Sequence, residues 1–122
     1  MWTQAQAVAL CRAVEAICPM YGCHVALTGG LLYKDGPRKD CDLLFYRVRQ
    51  VEKIEVDAMF HALEAVGIVR VTKTLSFCIK AKHADGDIDC FFPEVESGNY
   101  EADEDAKPSR PPPLPSADDW QF

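Results

Sequence analysis

The pattern of apolar positions predicts two amphipathic helices. Thr3 and Gln6 form a capping box at the start of the first helix, which ends by Gly22. The second covers about residues 53–66 and stops at Gly67. The apolar face of the first helix consists of Ala7, Leu10, Cys11, Val14, Ile17 and Cys18, and that of the second consists of Val56, Met59, Phe60, Leu63 and Val66.

Short apolar and alternating segments predict strands between and after these helices. Residues 84–86 (ADG) are expected to close a hairpin between the last two strands. The order of elements predicts an α/β (α+β) domain, a small mixed β-sheet flanked by helices. The predicted strands cover residues 23–28, 39–47, 68–74, 76–82 and 87–92.

After Pro93 the composition becomes acidic and proline-rich. We therefore predict a folded domain over residues 1–97 and a disordered tail over residues 98–122. The net charge of −6 is unevenly distributed: residues 101–122 contain six acids and two bases, and residues 1–100 contain 13 acids and 11 bases. The nearly balanced charge of residues 1–100 is not typical of a protein that binds nucleic acid by charge alone. The tail also contains a P-x-x-P segment (112–115) and an acidic, aromatic end (118–122), which either dock on a partner or belong to a plain solvated tail.

Membrane insertion and secretion are not expected, because no run approaches the ~18–20 apolar residues that span a bilayer and no signal sequence is visible. The expected compartment is the cytoplasm. There, cysteines behave as small hydrophobic residues, so buried reduced thiols are expected rather than three disulfides. The six cysteines are Cys11, Cys18, Cys23, Cys41, Cys78 and Cys90.

Two aspartates one residue apart precede an apolar run in the segment KDCDLLFY. On a strand, Asp40 and Asp42 share one face about 6.5–7 Å apart, while Cys41, Leu43 and Phe45 point to the other. Carboxylates held beside an apolar run favour a bound cation, and Mg²⁺ accepts both carboxylate and phosphate oxygens. Taken alone, the pair is explained equally well by an edge strand with two solvated acids.

A third acid, Asp89, lies between apolar residues on the last predicted strand, whereas Asp87 adjoins the turn. A lysine should share the face of Asp89: Lys82 if Asp85-Gly86 is a two-residue turn, or Lys80 if the loop has four residues. This pair is either an ordinary cross-strand ion pair or a cation that meets a substrate's phosphates.

The third candidate element is the glycine pair Gly29-Gly30 at the end of a predicted strand. Glycines let a backbone approach a ligand closely and turn its N–H groups toward phosphate oxygens. Nine residues separate Gly30 from Asp40, enough to leave one strand and enter the next. Such a glycine pair is also common in a simple tight turn.

Taken together, Gly-Gly, a loop containing Asp-Gly-Pro-Arg, Asp-x-Asp and a later apolar-Asp-apolar strand resemble the nucleotidyltransferase (DNA polymerase beta-like) superfamily, and most closely the minimal nucleotidyltransferases of prokaryotic mobile elements. The likeness covers about residues 24–92. It implies that Gly29 and Gly30 hold the phosphates of a nucleotide, that Asp40 and Asp42 bind two Mg²⁺ ions, and that Asp89 binds the catalytic metal and helps to activate an acceptor hydroxyl. Arg38, Lys80 and Lys82 are then expected to neutralise the outer phosphates.

The chain departs from that family in three ways. Lys39 stands where serine usually precedes the paired acids, the helix after the glycines is reduced to about residues 31–33, and the long C-terminal helical domain of larger relatives is missing from the pattern. We therefore expect a protein partner or a second copy to complete the acceptor site, and the resemblance suggests a toxin–antitoxin pair with this chain as antitoxin.

Three functions follow from these features. The first is Mg²⁺-dependent transfer of a nucleotide from an NTP such as ATP to a hydroxyl on a protein, a small molecule or a nucleic acid, the last as acceptor only. The second is a catalytically inactive nucleotidyltransferase-like module that binds or regulates through its tail. The third is a structural protein with surface acids. Three histidines (His24, His61 and His83) and two tyrosines (Tyr33 and Tyr46) are assigned structural or surface roles, although the tyrosines could also stack on a base.

Overall fold

The structure, a computed structural model, describes residues 1–49 and 52–95. It contains the predicted α/β architecture, a mixed five-stranded sheet with three α-helices. The helices are α1 (Gln4–Glu15), α2 (Gly30–Tyr33) and α3 (Val56–Leu63), and the strands are β1 (Cys23–Thr28), β2 (Asp40–Arg47), β3 (Val69–Arg70), β4 (Cys78–His83) and β5 (Gly86–Phe91).

Helix α1 begins as predicted. The side chain of Thr3 accepts the Gln6 amide at 3.2 Å, and the side chain of Gln6 accepts the Thr3 amide at 2.9 Å. After Glu15 the chain continues into a 3₁₀ turn, Cys18–Tyr21, and Gly22 ends that turn in the left-handed conformation. The capping box satisfies two amides that no helical carbonyl can reach.

Helix α3 is shorter than the predicted 53–66. It starts at Val56 because Glu55 is not helical and donates its amide to the Tyr21 carbonyl at 2.9 Å. Its last predicted turn is a 3₁₀ turn, Glu64–Val66, which ends at left-handed Gly67 as expected.

The strand order is β1-β2-β5-β4-β3. Strands β2 and β5 are parallel neighbours, whereas the other three pairings are antiparallel. The parallel pair lies in the middle of the sheet, so the two strands that carry the candidate aspartates are hydrogen-bonded to each other.

One face of the sheet packs with α1 and α3 into a single hydrophobic core. Cys41, Leu43 and Phe45 of β2 are fully buried on this face, as the alternation predicted. The intervening residues of β2 lie on the opposite, open face, where Asp40 is exposed and Asp42 is half-buried.

Strand β1 is an edge strand, and the last residue of α1 caps one of its amides. The Glu15 carboxylate accepts the Val25 amide at 2.9 Å, and its second oxygen lies 2.6 Å from His24 Nδ1. An edge amide bonded in this way is not free to pair with another strand.

The prediction of a strand over residues 68–74 is wrong in its extent, since only Val69–Arg70 is a strand. The amides of Val71 and Thr72 both donate to the Lys80 carbonyl, which interrupts the regular ladder. Arg70 then turns back and donates through Nε to the Thr72 carbonyl at 2.7 Å.

All six cysteines are free thiols; Cys11 and Cys78 are half-buried and the other four are buried. None of the helices among the described residues is both long and apolar enough to cross a membrane. The predicted tail over residues 98–122, with both of its motifs, lies outside the described residues, as do the last two positions of the predicted 1–97 domain.

Candidate functional site

Two of the three candidate carboxylates are cross-strand neighbours. In the parallel pairing of β2 with β5, Asp42 is opposite Asp89, and Asp40 is opposite Asp87 two residues earlier. All four residues alternate with buried ones and therefore belong to the open face. The side chain of Asp89 is only 14% exposed, so its carboxylate is held in the sheet surface rather than extended into solvent.

The Asp42 carboxyl is electrostatically unfavourable in its charged form. Burial is the largest cause, followed by the charges of Asp89 and Asp40, and together with a hydrogen bond to Asp89 they raise its pKa above the ordinary 3.8; Lys80 opposes the shift. A carboxylate beside other carboxylates is disfavoured in its charged form, and a proton or a cation relieves the repulsion.

The hairpin register selects Lys80 as the partner of Asp89. Lys80 is opposite Asp89, and its Nζ lies 2.7 Å from Oδ1. This is the register expected for a four-residue loop, and one further pair, His83 with Gly86, shortens the loop to two residues. The hydrogen bond with Asp89 raises the Lys80 pKa.

Lys82, the other candidate lysine, is one row away from the carboxylate pair. It is opposite Asp87, and the closest distance between their charged atoms is 3.9 Å. Both lysines border a cavity of about 290 Å³ on the open face, together with Lys39, Asp40, Asp87 and Asp89. If Lys82 contacts a phosphate as predicted, that phosphate lies in this cavity.

The glycine pair lies against two of the candidate side chains. Gly29 has φ +72° and ψ −157°, a conformation available essentially only to glycine, and an added Cβ would overlap the Asp42 carboxylate. Gly30 opens α2, and a Cβ there would overlap the Arg38 guanidinium. The positive φ of Gly29 and the close approach of the Asp42 carboxylate therefore require glycine there, whereas at Gly30 only the exposed end of the Arg38 side chain would have to move.

Trp2 is the residue that the sequence-based prediction missed. It is fully buried and forms an isolated antiparallel bridge with Arg38. Its indole Nε1 donates to the Asp87 carbonyl at 2.7 Å. The signal was present, since an apolar residue immediately before the helix cap often packs on the fourth helical residue, here Ala7, which is also buried.

The three histidines, which were assigned structural or surface roles, each lie beside an acidic residue. His24 is next to Glu15, His61 next to Glu64, and His83 next to Asp85. Tyr33 and Tyr46 are 85% and 43% exposed.

Within residues 1–49 and 52–95, no three histidine, cysteine, aspartate or glutamate side chains converge in an arrangement that could hold a metal ion by themselves. The donor set that is present is the pair Asp42 and Asp89, with Asp40 alongside. This pair fits Mg²⁺, which is usually bound through one or two carboxylates plus substrate phosphates and water rather than by an all-protein cage. The raised pKa of Asp42 fits it too, because a cation would relieve the repulsion.

The fold and the site together define a small α/β protein with a carboxylate pair beside a glycine turn. Comparison with protein-family models finds no match. Comparison with curated proteins finds no significant similarity.

Proposed function

We propose that this chain is a Mg²⁺-dependent nucleotidyltransferase that moves a nucleotide from an NTP to a hydroxyl acceptor. The observation that carries the proposal is the pairing of Asp42 with Asp89 on adjacent parallel strands, with Gly29 packed against the Asp42 carboxylate. Carboxylates, a lysine and an arginine then lie together where phosphate oxygens would approach.

In this proposal the groups divide into those that hold phosphate and those that hold metal. The Gly29-Gly30 backbone and the Arg38 guanidinium hold phosphate oxygens. Asp42 and Asp89, with Asp40 beside them, would hold two Mg²⁺ ions, which would supply charge neutralisation at the reacting phosphate. Lys80 is close enough to exchange its contact with Asp89 for one with a phosphate oxygen.

The proposed reaction is an in-line displacement at the α-phosphorus. The acceptor oxygen forms a bond to phosphorus, the bond from phosphorus to the bridging β-phosphate oxygen breaks, and pyrophosphate leaves. The acceptor hydroxyl gives up its proton to the Asp89 carboxylate, which lies within the sheet surface.

The acceptor site is proposed to need a second protein surface. The described helices lie against the core face of the sheet, and the carboxylates are on the open face. A partner, such as the toxin of a toxin–antitoxin pair, or a second copy of the chain would cover that face.

A second function is favoured by one observation. Lys80 already provides a positive charge to Asp89 at 2.7 Å. A lysine in that position neutralises the carboxylate without metal, as expected of a nucleotidyltransferase-like module that binds a nucleotide without turnover.

The two functions separate in one experiment. The full chain is incubated with Mg²⁺ and each α-labelled NTP, alone and with cell extract, beside Asp42→Asn and the control Asp87→Asn. Label transfer by the wild type and the control but not by Asp42→Asn supports the enzyme. Thermal stabilisation by Mg²⁺ and NTP without transfer supports the binding module. If neither Mg²⁺ nor NTP changes the melting temperature, both functions are wrong and the acids are surface residues.

A further inference from the structure

We propose that Trp2 is a positioning residue that holds Arg38 over Gly30 and so sets the affinity of the glycine turn for phosphate. The inference rests on the proposed function, because it concerns the same phosphate site, but it assigns a role to the N-terminal segment, which lies outside the region of family resemblance.

The first support is the backbone pairing of Trp2 with Arg38. The Trp2 amide donates to the Arg38 carbonyl at 2.6 Å, and the Arg38 amide donates to the Trp2 carbonyl at 2.9 Å. Because both bonds are made by the main chain, they fix the direction in which the Arg38 side chain leaves the loop before β2. That side chain ends against Gly30, where a Cβ would overlap it.

The second support is the way the Trp2 ring is anchored. The side chain is fully buried, its Nε1 donates to the Asp87 carbonyl, and its ring centroid lies 5.3 Å from that of His83. Added Cβ atoms at Gly36 and Gly86 would overlap the Trp2 backbone and indole respectively. The indole is thus fixed to β5, so Trp2 links the strand that carries Asp89 to the loop that carries Arg38.

The third support is the next polar residue of the same segment. The Gln4 amide donates to Asp35 Oδ1 at 2.8 Å, and its Nε2 donates to the Leu31 carbonyl at 2.9 Å. The N-terminal segment therefore holds both sides of the phosphate site, the loop before β2 and helix α2. These polar contacts of Gln4 connect the N-terminal segment to both elements, in addition to the packing of Trp2.

The test is a double-mutant cycle on the full chain, with inorganic tripolyphosphate as the probe and no divalent ion present. The dissociation constant is measured by calorimetry for the wild type, Trp2→Ala, Arg38→Gln and the double variant, below the melting temperature of each. Because Trp2 is proposed to act through Arg38, Trp2→Ala should weaken binding about tenfold in the wild type, the loss of one hydrogen bond to a charged group, and less than twofold in Arg38→Gln.

Two further variants separate positioning from stability. Phe60→Ala, a buried aromatic residue that packs with Phe92 and under Arg70, should lose comparable stability but change tripolyphosphate affinity less than twofold. Trp2→Ala removes the buried ring that anchors the backbone bridge, whereas Trp2→Phe keeps most of it and should therefore retain most of the affinity.

Equal losses from Trp2→Ala with and without Arg38, or a loss from Phe60→Ala as large as that from Trp2→Ala, would overturn the inference, as would a wild type that binds no tripolyphosphate. Nucleotide transfer is not measured in the cycle. A chain that binds tripolyphosphate with the expected coupling but transfers no nucleotide would therefore contradict the enzyme and leave the role of Trp2 intact.

Discussion

Replacing Asp42 with asparagine should make the folded protein more stable while abolishing its response to Mg²⁺ and NTP. The asparagine has the same shape but no charge, so the repulsion from Asp89 and Asp40 disappears. Its amide can also donate a hydrogen bond to Asp89, which in the wild type has a second carboxylate opposite it.

The expected gain is modest. A cross-strand pair changes stability by about 0.2–1 kcal/mol, and like charges directly opposite lower it. A new hydrogen bond adds about 1 kcal/mol net, so the two effects together should raise the free energy of unfolding of Asp42→Asn by about 1–2 kcal/mol at pH 7. In a domain of this size each kcal/mol corresponds to a melting temperature about 4–8 °C higher.

The pH dependence of the free energy of unfolding tests independently whether Asp42→Asn is stabilising. The folded-state pKa of Asp42 lies above its ordinary value of 3.8, so the native state binds this proton more tightly than the unfolded chain does. The contribution of protonated Asp42 to wild-type stability is fully present below pH 3.8 and is lost as the pH rises through the raised pKa. The advantage of Asp42→Asn should therefore be small at low pH, grow with pH, and level off above that pKa.

The assay is urea denaturation from pH 3.5 to 8, without metal, with Asp87→Asn as the control. Asp87 also lies on the open face but has Lys82 opposite it, so its change should stay within about 0.5 kcal/mol. A loss of about 1 kcal/mol or more from Asp42→Asn at pH 7 would show that the carboxylate stabilises the fold, and full transfer activity in that variant would refute its assignment to the metal site.

Three further variants test the surroundings of this pair. Gly29→Ala should lower the free energy of unfolding by about 1–3 kcal/mol in urea titrations, because its added Cβ overlaps the Asp42 carboxylate. The control Gly67→Ala, whose added Cβ has its nearest contact at 3.2 Å, should lose less; equal losses would contradict this. Lys80→Met should weaken tripolyphosphate binding, measured by calorimetry, and increase the thermal stabilisation by Mg²⁺ alone. Lys82→Met should leave the Mg²⁺ response unchanged, because Lys82 is opposite Asp87; an unaltered Mg²⁺ response in Lys80→Met would show that this lysine does not compete with the cation. Glu15→Ala should lower the free energy of unfolding by about 1 kcal/mol, because it leaves the part-buried Val25 amide of β1 without its partner. Size-exclusion chromatography should show more self-association through that edge; a monomer of unchanged stability would refute the role of this cap.

The local features of the fold could be predicted from the sequence because they depend on neighbouring residues. The capping box at Thr3, the alternation along β2 and the glycine stops of the helices are all properties of short segments. The same periodicity placed Asp40 and Asp42 on one face. What it could not supply is which strand lies beside β2, since the parallel partner β5 is about 40 residues away in the chain.

The features that were missed or left open depend on pairings that no short segment specifies. Two hairpin registers were left open, and the structure has the one that places Lys80 opposite Asp89. The bond from Trp2 to Asp87 spans 85 residues and has no local signature beyond an apolar residue before a helix cap. The end of β3 depends on two amides that share one carbonyl, which no propensity of that segment predicts.

The asymmetry between Asp42 and Asp89 is the strongest reason to regard the open face as a functional surface. A sheet surface selected for stability alone would pair each half-buried carboxylate with a cation. Here Lys80 contacts Asp89, while Asp42 is raised in pKa by burial and by two other carboxylates. Perturbed groups of this kind concentrate at functional sites, where a destabilised charge is retained because a ligand needs it. A cation that bridges the two acids would relieve Asp42 and displace Lys80 toward a phosphate, so the same arrangement that costs stability in the free protein would favour the loaded one.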